Sequence, residues 1–316
     1  MGFRQIAVLL SFIWFAPVAI FAQSLAERLG YKATDRLLII NINDAGLCQS
    51  VNYAVEESFK VGVASSASVI VPSSWAYGAG SFAQRNTKYC FGLQLTLTTE
   101  RSANYAWSPV ASSDKVSSLI SKRGSMYEEV DQVLSSAKVS EVETELRAQL
   151  AHARRIGIVP YYLTSHFNVL DYSDQYWRLF ARIAAENGLP VRFQPSQNLH
   201  GTSGAGRKRT LDSLGVLYPD YCITDALDTV RSPKNITAAL NAAVSAIKPG
   251  VTEIALTPAA VTPELKSISH NYLFRFNELE WLLNPATKKM LDEQQIILIS
   301  YKELWELQQK SKNSKK

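Results

Sequence analysis

The sequence predicts an α/β protein: a single (β/α) barrel of the TIM type. Three observations predict it. Eight short apolar runs rich in β-branched residues alternate with amphipathic helical stretches. Polar and titratable residues cluster where several of those runs end, which is where such barrels place their chemistry. Hydrophobic residues make up 47% of the 316-residue chain and charged residues 19%, enough for one sizeable core and too apolar for a disordered chain.

The elements follow in order. Residues 1–22 read as an export signal, with Arg4 before the apolar run Ile6–Ala22 and a cleavage point at Ala22-Gln23. Strands are expected near Leu37–Ile42, Ala67–Val71, Phe91–Leu97, Ile158–Leu163, Pro190–Phe193, Tyr221–Thr224, Glu253–Leu256 and Ile296–Ile299. Helices are expected over Ser50–Lys60, Ser140–Ile156, Asp174–Asn187, Pro233–Ile247 and Pro263–Leu283, with two shorter ones after Pro285 and Ser300. In Ser140–Ile156, Val142, Leu146, Leu150 and Ala153 share one face. Its early glutamates and late arginines suit the helix dipole. Thr99–Met126 and Gln194–Thr210 are expected as long loops shaping a mouth. Residues 23–308 form one domain in this reading, and 309–316 a Lys-rich polar tail.

Several function classes are excluded. The formal charge of +5 comes from Arg4 and from tail residues Lys310, Lys312, Lys315 and Lys316. The remaining body is close to neutral, so the charge does not argue for nucleic acid. No second apolar run reaches spanning length, so no stable membrane span is expected after signal cleavage. Cys48, Cys90 and Cys222 form no Cys-x-x-Cys pair, against zinc-knuckle and thioredoxin chemistry. Gly201 and Gly206 have phosphate-loop spacing, but Arg207 stands in the Lys position and no strand leads in. No Gly-x-Ser-x-Gly elbow supports a serine hydrolase.

The candidate site residues lie at strand ends: Asn43-Asp44-Ala45-Gly46, Gln94 with Thr98, Thr99 and Glu100, Thr164-Ser165-His166-Phe167-Asn168 and Thr257-Pro258-Ala259. These segments resemble the YdjC-like carbohydrate deacetylase family. Leu38–Leu47 resembles its Asn-x-Asp-Asp-Phe-Gly signature, and Phe91–Thr98 its Gly-x-His-Leu-Thr-Leu-Thr segment. Ser66–Pro72, Tyr105–Val110, Pro160–His166, Ile254–Pro258 and Arg275–Leu283 also fit, in order, across nearly the whole mature chain.

The resemblance implies a distorted (β/α) barrel of deacetylase type that hydrolyses an acetamido group on a sugar. It implies a divalent metal, Zn or Mg, held by one Asp and two His, with a second Asp as base. At those positions this chain carries metal ligands Asp44 and His166, but Gln94 replaces a metal-binding His. Asn43 replaces the base Asp, Thr164 an orienting Asp, and Thr257 a His. An amide accepts no proton at neutral pH, and two ligands fall short of a catalytic zinc site. Trp107, Tyr105, Thr257 and Arg275 are the expected substrate-binding residues, and Tyr161, Tyr162 and Tyr172 further candidates for stacking on sugar. The expected partner is an N-acetylated sugar or oligosaccharide.

Three readings stay open. The first is a carbohydrate-binding protein with an eroded metal and base set. The second is an active deacetylase with a rearranged site recruiting His200, Asp171 or Glu100. The third is a non-catalytic interaction protein. Structural roles compete at each position: Asp44 as a helix cap, Asn43 and Gln94 as a mutual hydrogen-bonded pair, His166 as a core histidine, Trp107 as packing.

Overall fold

The computed structural model of the chain describes residues 23–194, 203–223 and 230–313. Its seven strands are β1 Arg36–Ala45, β2 Ser66–Val69, β3 Cys90–Leu95, β4 Leu163–Ser165, β5 Tyr221–Ile223, β6 Gly250–Leu256 and β7 Ile296–Leu298. All pair in parallel, in the order β4-β3-β2-β1-β6-β5, with β7 alongside β1. Helices separate consecutive strands, so the sheet curls into the expected distorted (β/α) barrel.

The centre of the sheet is β1. It pairs with β6 over Arg36–Ile42, with β7 over Arg36–Leu38 and with β2 from Asn41 to Ala45. Strand periodicity of two splits its side chains. Leu38, Ile40 and Ile42 pack with Val51, Val55 and Phe59 of the helix Gln49–Lys60. Leu37 and Ile39 turn the other way and cluster with Tyr162, Val251 and Tyr301. Both faces are covered, which is why β1 reads as an almost unbroken apolar run.

That second face becomes polar toward the strand ends. Tyr162 stacks on Tyr301 with ring centroids 3.9 Å apart and donates its hydroxyl proton to Asn41 Oδ1. Tyr301 Oη donates to Glu253 Oε2 at 2.9 Å, and Arg192 Nε lies 3.4 Å from the same oxygen.

Differences from expectation have local causes. The run Ile158–Leu163 becomes a strand only from Leu163; Pro160 within it has no N–H for a ladder. The same holds for Pro190–Phe193, which makes one bridge, Leu163 to Val191, rather than a strand. This segment still spans the space between β4 and β5: Val191 N–H donates to Leu217 O, and Cys222 Sγ to Phe193 O at 3.2 Å. The expected helix Pro263–Leu283 is two helices, Pro263–Ile268 and Tyr272–Leu283. The Gly/Ser-rich loop gives way to a helix, Gly204–Leu214, capped by Ser203. Helices Ala76–Arg85 and Val130–Ser136 were not anticipated.

The final helix, Tyr301–Asn313, runs into the stretch read as a polar tail. There Gln309 Nε2 donates to Gly188 O at 2.7 Å, so residues 309–313 are anchored. The expected export segment 1–22, His200 and Lys315-Lys316 lie outside the described residues. Among the described residues no helix is long and apolar enough to cross a membrane.

Candidate functional site

Four strand ends converge on one buried polar cluster. At the end of β1, Asp44 takes a left-handed backbone conformation, φ 64°. An Asp tolerates that region better than most residues. The β1–β2 register shifts between Ile42 and Ala45 at this point, a bulge that re-aims the side chain. Gly46 follows at φ 91°, where an added Cβ would press on Ala76 Cα and Ser73 Oγ at 3.1 Å. The turn is therefore closed to larger residues.

Asp44 is not a helix cap; Cys48 holds that position for Gln49–Lys60. Its carboxylate instead accepts from Arg275 Nη2 at 2.8 Å, with both side chains buried. Arg275 Nη1 also donates to Thr257 O at 3.2 Å, tying β6 to β1. Asp44 N–H donates to Gln94 Oε1 at 2.7 Å. Burial pushes the Asp44 carboxyl upward, but the Arg275 guanidinium, together with His166 and Gln94 beside it, holds it below the ordinary carboxylate value.

Asn43 and Gln94 do not bond to each other. Asn43 Oδ1 accepts from Asn41 Nδ2 and Ser68 Oγ, each at 3.0 Å. It is thereby turned along the barrel interior rather than toward Asp44.

At the end of β4, His166 Nδ1 lies 3.1 Å from Thr96 Oγ1 and 3.0 Å from Thr98 Oγ1. Burial pushes the imidazole down to about 4, so it is neutral at pH 7. Phe167 and Asn168 follow at φ 48° and 53°, two non-glycine residues in the left-handed region. Trp107 packs 5.9 Å from the His166 ring and donates its indole N–H to Thr98 O at 3.1 Å.

Two further carboxylates border the cluster. Glu100 is buried, and its carboxyl is raised by that burial and by the charge of Asp44. Glu278 Oε2 accepts from Thr257 N at 2.7 Å, and burial raises its carboxyl to about 7. Arg275 and Glu278 sit three residues apart on one helix, so both reach the same strand end. Sequence reasoning named Thr98 but missed Glu278 and Thr96; the three-residue spacing after Arg275 was the available signal for Glu278.

The structure thus brings Asp44, Gln94, His166, Thr257 and Arg275 to one place. Of the expected aromatic platforms it buries Trp107 and Tyr162, and it leaves Tyr105, Tyr161 and Tyr172 half-buried. Trp107 is 5% exposed and bonded at both nitrogens, its backbone N–H reaching Thr99 Oγ1. Tyr105 Oη donates to Leu47 O at 2.5 Å. Tyr162 is fully buried against Tyr301, and Tyr161 packs on Trp305; both precede β4 and so lie away from its C-terminal end. Asp171 pairs with Arg207 Nη1 at 2.7 Å, an ion pair separate from this cluster.

The side chains present do not fit a divalent ion. Three donors are needed at the least, and at the family's ligand positions only Asp44 and His166 are of the right kind. Asp44 is neutralised by a guanidinium, and Gln94 Oε1 is held by a backbone N–H. Among the described residues no three His, Cys, Asp or Glu side chains are grouped as ligands.

Residues 37–293 match the family model described as YdjC-like protein. A carbohydrate deacetylase of Thermoanaerobacter pseudethanolicus is 26% identical over 266 residues, covering 84% of this chain and 98% of that one. A chitooligosaccharide deacetylase of Yersinia enterocolitica is 25% identical over 84% of this chain and 98% of its own length. In fold, the chain resembles the crystal structure of an Enterococcus faecalis protein described as a candidate cellobiose-phosphate cleavage protein. That match has a TM-score of 0.73 at 24% identity, over 86% of this chain and 99% of that one. By the match of its sequence to the family model, the chain belongs to the YdjC-like family, whose curated relatives include carbohydrate deacetylases.

Proposed function

We propose that this protein binds N-acetylated carbohydrate at the strand-end cluster and hydrolyses it weakly or not at all. The observation that carries the reading is the Arg275–Asp44 ion pair at 2.8 Å. A fixed guanidinium takes the carboxylate that the family would offer to an ion. Asn43, at the family's base position, cannot take a proton from water. What remains is a set of hydrogen-bonding groups suited to hold a polar ligand: Gln94, Thr257 and the free edge of His166. Export, signalled by the apolar N-terminal run, belongs to the same proposal.

A hydrolase with a rearranged site is the second reading, favoured by the buried Glu100 beside Asp44 and Arg275. One experiment separates them. Purified protein is titrated calorimetrically with N,N′,N″,N‴-tetraacetylchitotetraose, and acetate release and bound metal are measured on the same sample. Binding without acetate release supports the proposal. Acetate release abolished by Glu100→Gln transfers the function to the second reading. Neither binding nor release removes both.

A further inference from the structure

A groove of about 550 Å³ opens beside the site, where the helices Ala76–Arg85 and Val139–Arg155 meet. Its volume is that of ordinary ligand pockets, which run about 300–1,000 Å³. The partition between groove and site is built from residues already placed. Ser74, on the groove floor, donates its N–H to Tyr105 Oη at 3.2 Å, and Tyr105 donates to Leu47 O, three residues after Asp44. Ser108 and Pro109, on the opposite wall, directly follow Trp107, which packs on His166.

The groove's chemistry is distinctive. Tyr77 is 66% exposed and meets His152 edge-on, ring centroids 5.7 Å apart. An edge-on contact leaves ring face open, and an aromatic face is what an apolar sugar face packs on. The Arg155 side chain is exposed and makes no ion pair or hydrogen bond among the described residues. Among the described residues no Asp or Glu lines the groove. Burial and Arg155 both depress the His152 imidazole, so Arg155 supplies the groove's charge at pH 7.

We propose that this groove is a second sugar subsite for an acidic unit: a uronate ring of the bound oligosaccharide packs on Tyr77 and sets its carboxylate on Arg155. The inference rests on the carbohydrate-binding reading above and specifies its ligand class. Arg155 matches a carboxylate in bidentate geometry, which a neutral chitooligosaccharide does not offer.

The test compares two probes by calorimetry: a hyaluronan tetrasaccharide, alternating N-acetylglucosamine and glucuronate, and tetraacetylchitotetraose. The wild type should bind the acidic probe about tenfold more tightly at low salt, a preference that shrinks as salt rises. Arg155→Gln should abolish the preference and leave the neutral probe unchanged. Tyr77→Ala should weaken both by about tenfold. Both positions are exposed, so the variants should keep the wild-type circular dichroism. Equal binding of the two probes, or an undiminished preference in Arg155→Gln, overturns the acidic subsite while the carbohydrate-binding reading stands. Failure of the wild type to bind either probe overturns both.

Discussion

Arg275 Nη2 and Asp44 Oδ2 lie 2.8 Å apart although 231 residues separate them in the chain. Their contact joins the helix Tyr272–Leu283 to the end of β1. Removing one partner would leave a buried charge uncompensated. Arg275→Leu should therefore cost about 3–5 kcal/mol, read as a lower urea midpoint with an unchanged slope. Adding Asp44→Asn to that variant should return part of the loss, because the orphaned charge is then gone. A double variant no more stable than Arg275→Leu alone would show that the pair is not coupled.

Glu278 makes stability depend on pH. Its folded carboxyl sits at about 7, chiefly through burial, against 4.5 for the ordinary group. The folded state therefore holds a proton that the unfolded chain releases between those values. Stability from this group is full below about 4.5 and is lost as pH rises through about 7. Glu278→Gln keeps an acceptor for Thr257 N–H but removes the titration. Relative to this variant, the wild type should lose on the order of 3 kcal/mol between pH 4.5 and 7.5. Parallel unfolding midpoints of the two proteins across that range would refute the assignment.

Gly92 tests the barrel interior. A Cβ there would stand 2.5 Å from Tyr162 Cε1, and that ring cannot retreat, because Tyr301 is stacked behind it at 3.9 Å. Gly92→Ala should destabilise by about 1–3 kcal/mol through overpacking. Gly206→Ala is the control. Its methyl would meet Ser203 Oγ at an ordinary 3.5 Å, inside a helix. There the exchange should be neutral or stabilising by up to about 1 kcal/mol. Urea unfolding of both variants decides the matter.

The barrel was legible because its strands are short continuous apolar runs, and β1, β3 and β6 fall where those runs place them. The prolines blurred the edges: Pro160 and Pro190 sit in apolar runs that pattern alone reads as strands. Pattern alone does not mark the helix Ala76–Arg85, because Gly78 and Gly80 within it lower helix propensity. Gly80 is there for packing, since an added Cβ would meet Ile156 O at 2.2 Å. At the site, which residues would meet was readable from the strand ends. What each would bond was not. The motif marks Asp44 and Gln94 as neighbours, but nothing local in the sequence says that Arg275 claims the carboxylate or that Asn43 turns to Ser68. Those are choices of tertiary packing between segments far apart in the chain.

The same ion pair predicts how the site would respond to a restored ligand. Placing an imidazole at position 94 by Gln94→His supplies a third donor type beside Asp44 and His166. With Arg275 still on the Asp44 carboxylate, that carboxylate remains neutralised, and zinc would have to displace a buried guanidinium. Gln94→His alone should therefore take up little zinc in competition with a chromogenic indicator. Gln94→His combined with Arg275→Leu frees the carboxylate, and an incoming cation then relieves the uncompensated buried charge. This double variant should bind zinc toward one ion per chain and regain thermal stability when zinc is added. Stoichiometric zinc in the wild type or in Gln94→His would show that Arg275 does not govern access to Asp44.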